Sequence, residues 1–377
     1  APVDRVDLAR TGRSTTPLPS APVEVLRRAV GAGAQQPVVL ADGTVLVALS
    51  TPEVVRFAPD GAEASRTRIG TAPAARPPVV LADGGVAVLT TAPSVVFLRR
   101  SGKLAATVPL PKTTFPITAG GGSNEPAFAS LVPTPSGGVA LAAGRSFVEL
   151  DASGRIGSVS TLPERERFAM DLVGAPGGFL GVTHLGTVYR IRPPSEPIRL
   201  GTFGAQATHT PALADARTLL AQVGPGRIAA LDLEVGATVT RVSDTGLFGF
   251  DGAFVLDKQG AIWATTHEGL LLGLGKAGDE IARVSVARAS VMPVTPPGFV
   301  PVQVSDRAVL LADTDGRVAF ARTGGRVGVR APDGRVAIAP ERGCTSPSAL
   351  LPATKGRMVL ACKEGAIVFY GNASEPK

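Results

Sequence analysis

The sequence predicts an all-β protein built as an eight-bladed propeller, and two observations lead to this fold class. A unit of apolar strand, tight turn, apolar strand, polar break and third apolar strand returns about every 40–55 residues, which is typical of propellers. One copy spans Pro37–Gly61 (PVVLADGTVLVALSTPEVVRFAPDG) and a later copy spans Ala308–Gly334. The 45 Gly and 33 Pro are spread along all 377 residues, as many short strands and turns require.

The first turn of each unit marks one blade. An apolar run that predicts a first strand precedes every turn, and further apolar runs follow it. Inner strands read as near-continuous apolar runs because neighbouring blades cover both of their faces. The fourth strand is more polar, as in Ser65–Ile69, because it faces solvent. The eight landmark residues are Gly43, Gly84, Gly137, Gly177, Ala216, Gly260, Gly316 and Gly356.

The two ends of the chain predict how the ring closes. The last unit stops at its third strand, Ala366–Tyr370, and therefore lacks an outer strand. The chain begins with a spare strand-like segment, Val23–Val30 (VEVLRRAV). We expect this segment to complete the last blade. The predicted organisation is a single domain over 1–377, with a lead-in (1–22), a closing strand (23–30) and blades (37–371).

Two connections are longer than the others. They contain Pro111–Phe128 and Arg288–Asp306, and each lies between a fourth strand and the next first strand. Such connections share a face with the breaks between second and third strands. Ordinary loop growth and a partner-binding face both account for them. An alternative register makes Val300–Val304 the first strand of its blade.

Three segments resemble parts of the pyrroloquinoline-quinone-type propeller superfamily: two resemble its repeat unit, and the opening stretch resembles its lead-in. They are Ala229–Val242 (AALDLEVGATVTRV), Phe57–Arg68 (FAPDGAEASRTR) and the opening stretch Leu8–Gly31 (LARTGRSTTPLPSAPVEVLRRAVG). The resemblance implies a quinoprotein-like fold. The family's usual Trp at the start of the fourth strand is absent, and the only Trp, Trp263, falls in a second strand. This departure favours the non-enzymatic, BamB-like branch of exported bacterial propellers.

The search for chemistry yields no catalytic residue, no cofactor and no metal site. A quinone dehydrogenase holds calcium through Glu and Asn, yet the only two Asn, Asn124 and Asn372, lie outside the repeated strands. No nucleophile elbow is present. His184, His209 and His267 map to one face, but no close ligand pair exists in sequence. We therefore expect a protein that is not an enzyme, with quinone-dependent oxidoreduction as a weaker alternative.

Charge suggests the kind of partner. The net charge is +7 and the isoelectric point is near 9.9, but no run of five Lys or Arg occurs, which argues against nucleic acid. The sequence predicts a scaffold that binds another protein through one loop-rich, basic face. The alternative is a module that binds an anionic glycan or another acidic ligand at the channel mouth. The candidate contact residues are Phe115, Asn124, Phe128, Arg145, His184, Arg227, His267, Phe299, Arg322, Arg326 and Lys363.

Three features bear on localisation. The two cysteines, Cys344 and Cys362, form a disulfide in an oxidising compartment or remain two buried thiols. No apolar run reaches the roughly 18 residues of a membrane-spanning segment. The opening APVDR suits residues just after a signal-peptidase cut, although a trimmed chain would look the same. We expect a periplasmic or secreted protein, and processing or lipidation of its native N-terminus stays open.

Overall fold

A computed structural model confirms the all-β fold. It describes residues 13–31, 33–34, 37–92, 94–110, 131–224, 226–242, 250, 254–266, 269–286, 308–340 and 343–373. In these ranges the chain forms 33 strands, arranged as eight small sheets in a ring. None of the described segments is a helix that could cross a membrane.

The first four blades are antiparallel four-stranded sheets that follow chain order. Two short strands precede them, β1 (Arg13–Ser14) and β2 (Pro22–Ala29). The strands of blades 1 to 4 are β3 (Pro37–Val39), β4 (Val45–Ala48), β5 (Glu53–Phe57), β6 (Glu63–Arg68); β7 (Val79–Val80), β8 (Val86–Leu89), β9 (Ser94–Leu98), β10 (Leu104–Pro109); β11 (Val132–Pro133), β12 (Val139–Ala143), β13 (Ser146–Leu150), β14 (Ile156–Thr161); β15 (Val173–Ala175), β16 (Gly178–Val182), β17 (Thr187–Ile191) and β18 (Ile198–Thr202).

Blades 5 to 7 repeat this order, and blade 8 takes its outer strand from the beginning of the chain. The strands of blades 5 to 8 are β19 (Ala212–Leu213), β20 (Thr218–Gln222), β21 (Arg227–Asp232), β22 (Thr238–Val242); β23 (Val255–Leu256), β24 (Ile262–Thr265), β25 (Leu270–Leu274), β26 (Glu280–Ser285); β27 (Ala308–Asp313), β28 (Val318–Arg322), β29 (Val327–Arg330), β30 (Val336–Ile338); β31 (Pro347–Pro352), β32 (Met358–Cys362) and β33 (Ala366–Asn372).

The ring closes as the sequence predicted. Strand β2 pairs antiparallel with β33, from Pro22 opposite Asn372 to Ala29 opposite Ala366. The expected closing strand, Val23–Val30, differs from β2 by one residue at each end. Ladder hydrogen bonds therefore join the two ends of the chain inside blade 8.

We name the strands of each blade A to D from the channel to the rim. The A strands of neighbouring blades contact one another, so they line the central channel. Eight buried apolar clusters fill the spaces between adjacent blades, and one of them joins Val359 and Ile367 of blade 8 to Val45 and Val55 of blade 1. A single blade exposes both apolar faces, whereas the closed ring buries them all.

The turns define two faces. The A–B and C–D turns lie on one face, called here the A–B face, and the B–C turns and the connections between blades lie on the other, the B–C face. On the A–B face an aspartate carboxylate typically accepts a backbone N–H two residues later, which closes an Asx turn. The aspartates with this bond are Asp42, Asp60, Asp83, Asp151, Asp215, Asp232, Asp257, Asp313 and Asp333.

The lead-in adds a feature that the sequence did not reveal. Strand β1 pairs in parallel with β27, the A strand of blade 7, so it lies on the channel side of that blade as a fifth strand. Leu18 then inserts into the apolar cluster between blades 7 and 8. The lead-in thus runs outward from the channel to β2 across the seam between these two blades.

Candidate functional site

The B–C face collects the cations that the sequence singled out. Arg145, Arg227 and Lys363 lie at the B–C turns of blades 3, 5 and 8, and all three are exposed. The groups that close B–C turns include neutral hydroxyls, as at Thr183, whose Oγ1 accepts the N–H groups of Leu185 and Thr187 at 3.3 Å. Because the Asx-turn carboxylates all lie on the opposite face, they do not neutralise these cations locally.

Two of the predicted arginines are held in place by backbone carbonyls. Arg145 donates to the Leu162 carbonyl oxygen from Nε at 3.2 Å and from Nη2 at 2.8 Å. Arg326 donates from Nη1 to the Val286 carbonyl oxygen at 3.0 Å. Each acceptor lies just after the D strand of a blade, so each arginine ties a B–C turn to a connection between blades. Both guanidinium groups therefore lose side-chain freedom before any partner binds.

Arg322 departs from the predicted surface role. Its residue is only 3% exposed, because it ends β28 inside blade 7. Its amide donates to the Arg326 carbonyl oxygen at 2.9 Å, which closes the B–C turn. A charged residue in a turn is usually solvated, but here the residue is buried, including Nη1 of its guanidinium group. Arg322 is therefore a structural residue of the turn and not an exposed contact.

The histidines do not form a described cluster. His184 is half-buried in the B–C turn of blade 4, and its Nδ1 is buried with no hydrogen-bond partner among the residues that the structure describes. His209 Nδ1 lies 3.2 Å from Thr208 Oγ1. The remaining predicted residues fall outside the described ranges: His267, Phe115, Asn124, Phe128 and Phe299. The same holds for the insert segments 111–128 and 288–306, whose flanking strands end on the B–C face.

A polar group missed by sequence reasoning lies on the same face, next in the chain to Arg167, whose carbonyl oxygen accepts the His184 amide at 3.0 Å. Glu166, in the connection to blade 4, accepts a hydrogen bond from Thr187 Oγ1 at 2.9 Å through Oε1. Its Oε2 is buried and has no partner among the described atoms. Burial, together with the Glu166 charge, raises the pKa of Tyr189. Glu166 would have been hard to single out, because it follows two charged residues in a run that reads as solvated.

Asn372 was expected outside the repeated strands, but it is the last residue of β33 and has a structural role at the chain closure. Its Oδ1 accepts hydrogen bonds from the Ser20 amide at 2.9 Å and from Ser20 Oγ at 3.2 Å. This fixes the lead-in where it enters β2.

The two cysteines are joined in a disulfide, with Cα atoms 5.4 Å apart. Glu364 lies close enough to their sulfurs to complete a three-residue set of metal-ligating types. A disulfide offers no thiolate to a metal. Glu364 moreover accepts the amides of Thr345 at 2.6 Å and Ser346 at 3.3 Å. This set therefore does not fit a metal centre.

The A–B face carries a cavity of about 580 Å³. It lies at the channel mouth, where the A strands of blades 8, 1 and 2 end, and Thr16 of the lead-in contributes to its wall. The sequence had pointed to the opposite mouth. Burial opposes ionisation of Asp42 at the rim, but hydrogen bonds from Thr44 and the nearby Arg56 and Arg100 outweigh it, so its pKa lies below the ordinary value.

Comparison with known proteins identifies the fold. No family model matches the chain, and no curated protein is significantly similar in sequence. Virginiamycin B lyase from Staphylococcus aureus aligns at 12% identity over 92% of this chain and 98% of its own, with a TM-score of 0.53.

Two further solved structures align over much of the chain. The computationally designed protein Ika8 aligns at 10% identity over 95% of this chain and 100% of its own, with a TM-score of 0.67. The dihydro-heme d1 dehydrogenase NirN aligns at 15% identity over 82% of this chain and 67% of its own, with a TM-score of 0.61. At such low identity the likeness shows the fold alone. The chain is thus an eight-bladed β-propeller.

Proposed function

We propose that this protein is an exported, non-catalytic propeller scaffold that binds an acidic segment of another protein through its B–C face. The observation that carries the proposal is the set of exposed cations at equivalent B–C turns of three different blades: Arg145, Arg227 and Lys363. The described strands that flank the inserts 111–128 and 288–306 have their insert-side ends on this face, and the proposal includes both inserts in the binding surface.

The ring supplies rigidity for such binding. Apolar clusters between every pair of neighbouring blades fix the turns at set separations. A surface that is already ordered loses little conformational entropy when a partner binds. The carbonyl-anchored Arg145 and Arg326 add to this order. Separated positive charges on a rigid frame favour a partner with matching acidic groups and speed its encounter.

Two considerations support export and the absence of catalysis. A disulfide such as Cys344–Cys362 persists in an oxidising compartment and is uncommon in the cytosol. On the B–C face, Arg145 and the bonded oxygen of Glu166 are engaged in hydrogen bonds that hold turns and connections together. This use of polar groups suits a recognition surface better than a reaction centre.

Site-specific photocrosslinking tests the proposal. A photoreactive amino acid replaces Arg145, Arg227 or Lys363 in the source cells, and Lys103 or Lys258, exposed on the A–B face, in matched controls. We expect the three B–C positions to capture the same protein, identified by mass spectrometry, and the controls to miss it. Adducts that form equally from both faces, or from neither, would overturn the proposal.

Charge reversal then separates a protein partner from an anionic glycan. The double variant Arg145→Glu, Arg227→Glu should weaken capture of the crosslinked protein, whereas Lys103→Glu, Lys258→Glu should not. Purified protein is also titrated with polyglutamate and with heparin at rising salt, which screens surface charge. Binding of heparin without any crosslinked protein would favour the glycan alternative.

A further inference from the structure

The cavity on the A–B face has apolar walls. They are formed by the last residues of three A strands, in blades 8, 1 and 2, which belong to opposite ends of the chain. A volume of about 580 Å³ falls within the usual range for small-molecule sites, which are mostly apolar and carry a few placed polar groups. The apolar wall residues are Val39, Leu40, Val80, Leu81, Leu351 and Pro352.

The rim carries two carboxylates in different electrostatic states. Asp42 Oδ2 lies 3.8 Å from Nη2 of Arg56 and 3.8 Å from Nη2 of Arg100, so two guanidinium groups compensate its charge. Asp83 occupies the equivalent turn of blade 2, and its Oδ1 accepts the Gly85 amide at 2.7 Å. Its Oδ2 makes no hydrogen bond or ion pair with the described residues. Asp83 is therefore the carboxylate of the cavity lining that has no ion pair with the described residues.

Arg100 does not make the opening cationic. Its side chain lies against the first turn of blade 2, where a Cβ added to Gly84 would be 3.2 Å from its Cδ. Its guanidinium points toward Asp42 of the neighbouring blade. The residues that line the cavity include two carboxylates, Asp42 and Asp83, and one guanidinium group, Arg100, so the lining carries one net negative charge. The electrostatics of the rim favour a positively charged group.

We propose that this cavity binds a small amphiphilic amine. The apolar body of the ligand lies against the strand ends of blades 8, 1 and 2, and its ammonium group contacts Asp83 Oδ2. Thr16 and Thr354 offer hydroxyl groups inside the same cavity for further hydrogen bonds. This site is on the face opposite to the proposed protein-binding surface, so the inference does not depend on that function.

The site also contacts the lead-in, which precedes the closing strand β2. Thr16 lines the cavity, and two residues later Leu18 is buried between blades 7 and 8. A ligand that binds only the folded ring stabilises it by an amount that grows with the logarithm of one plus its concentration divided by Kd. Occupancy should therefore raise the thermal midpoint of the whole protein.

The test uses n-hexylamine and benzylamine as probes, with 1-hexanol and benzyl alcohol as uncharged counterparts. Affinity is measured by calorimetry and by thermal shift on the intact protein. The key variant is Asp83→Asn, because an asparagine oxygen still accepts the Gly85 amide and preserves the turn. The matched control is Asp60→Asn, which makes the same change in a C–D turn that does not line the cavity.

We expect saturable binding of both amines to the wild type and to Asp60→Asn. In Asp83→Asn the affinity should fall by about tenfold or more, as expected for a lost hydrogen bond to a charged group. The alcohols should bind more weakly than the amines to the wild type. Equal binding of amines and alcohols, equal loss in both variants, or no saturable binding by the wild type would overturn the proposal.

Discussion

The backbone amide of Leu18 donates a hydrogen bond of 2.8 Å to Oδ2 of Asp313, although 295 positions separate the two residues in the chain. Asp313 is fully buried at the end of the A strand of blade 7. The same carboxylate accepts the amides of Asp315 and Arg317 and the Arg317 guanidinium. One side chain thus closes a turn and fastens the lead-in to the ring.

Replacing Asp313 by alanine should destabilise the protein by about 3 kcal/mol, because buried donors lose their acceptor. Urea denaturation measures this loss. The control is Asp60→Ala: that carboxylate is exposed and accepts the Ala62 amide, so we expect a loss below about 1 kcal/mol. Similar losses of unfolding free energy in the two variants would show that the hydrogen bond between Leu18 and Asp313 contributes little to stability.

The only tryptophan gives a spectroscopic view of the core. Trp263 is 2% exposed, donates from Nε1 to Asp257 Oδ2 at 3.0 Å, and lies 4.3 Å beneath the guanidinium carbon of Arg330. Burial lowers the pKa of Arg330, and the nearby Asp257 and Asp333 oppose this effect. The indole and the guanidinium form a cation–π contact between blades 6 and 7.

Gly273→Ala should disturb this arrangement. Gly273 is the cross-strand partner of Trp263, and an added Cβ would come within 2.7 Å of the indole ring. We expect a red-shifted fluorescence maximum and a loss of about 1–3 kcal/mol, as for an overpacked core. Gly157→Ala is the control, because its nearest contact would be 3.8 Å away. An unchanged spectrum in Gly273→Ala would contradict the packing described here.

Reduction of the disulfide should lower stability. Cys344 and Cys362 are 18 positions apart and both buried. Because the bridge restricts the unfolded chain, we expect it to raise the free energy of unfolding by about 3 kcal/mol. Urea unfolding with and without dithiothreitol measures the effect. The double variant Cys344→Ala, Cys362→Ala should have a stability similar to that of the reduced protein, and dithiothreitol should not change it. A wild type whose stability does not respond to full reduction would disprove this contribution.

Acid should weaken the turns closed by aspartate. Hydrogen bonds from the Ser153 side chain and the Arg155 amide hold the pKa of Asp151 below its ordinary value of 3.8. A carboxyl whose pKa is lower in the folded state stabilises the fold above its unfolded pKa, and this gain is lost as the pH falls through the lowered value.

Thermal unfolding of the wild type and of Asp151→Asn, measured from neutral pH downward, tests whether this stabilisation is lost in acid. The wild type should melt higher than the variant at neutral pH, and the difference should shrink below pH 3.8. Ser153→Ala removes the leading donor and should behave in the same way. A difference between wild type and Asp151→Asn that stays constant down to the lowest pH would contradict the assignment.

Much of the fold was predictable because the turns have local chemistry. At Asp42–Gly43 and Asp83–Gly84 the aspartate accepts a backbone N–H, and the glycine adopts a positive φ of 84° and 82°. These requirements involve neighbouring residues only, so the sequence pattern records them. The closing strand was also predictable, because the last blade lacked an outer strand and the segment Val23–Val30 had no blade of its own.

The rest depends on contacts between distant residues. Strand β1 consists of Arg13 and Ser14, which carry no strand pattern, and it forms only because the inner edge of β27 is beside it. The A–B cavity arises where three strand ends meet, and no single segment encodes it. The burial of Arg322 is similar, since a turn sequence shows the charge but not the surrounding sheet. Gly273, within the apolar segment Leu270–Leu274 (LLLGL), lies opposite Trp263, and this glycine was a local sign of close packing in the sequence.

A ring of eight similar blades would offer a ligand eight equivalent binding sites. Strand β1 removes that equivalence, because it adds a fifth strand to the channel side of blade 7. Thr16, two residues after β1, adds a lead-in residue to the cavity at blades 8, 1 and 2. The lead-in thereby distinguishes this part of the ring from the other described blades, and the proposed amine site needs no change in the repeated sequence itself.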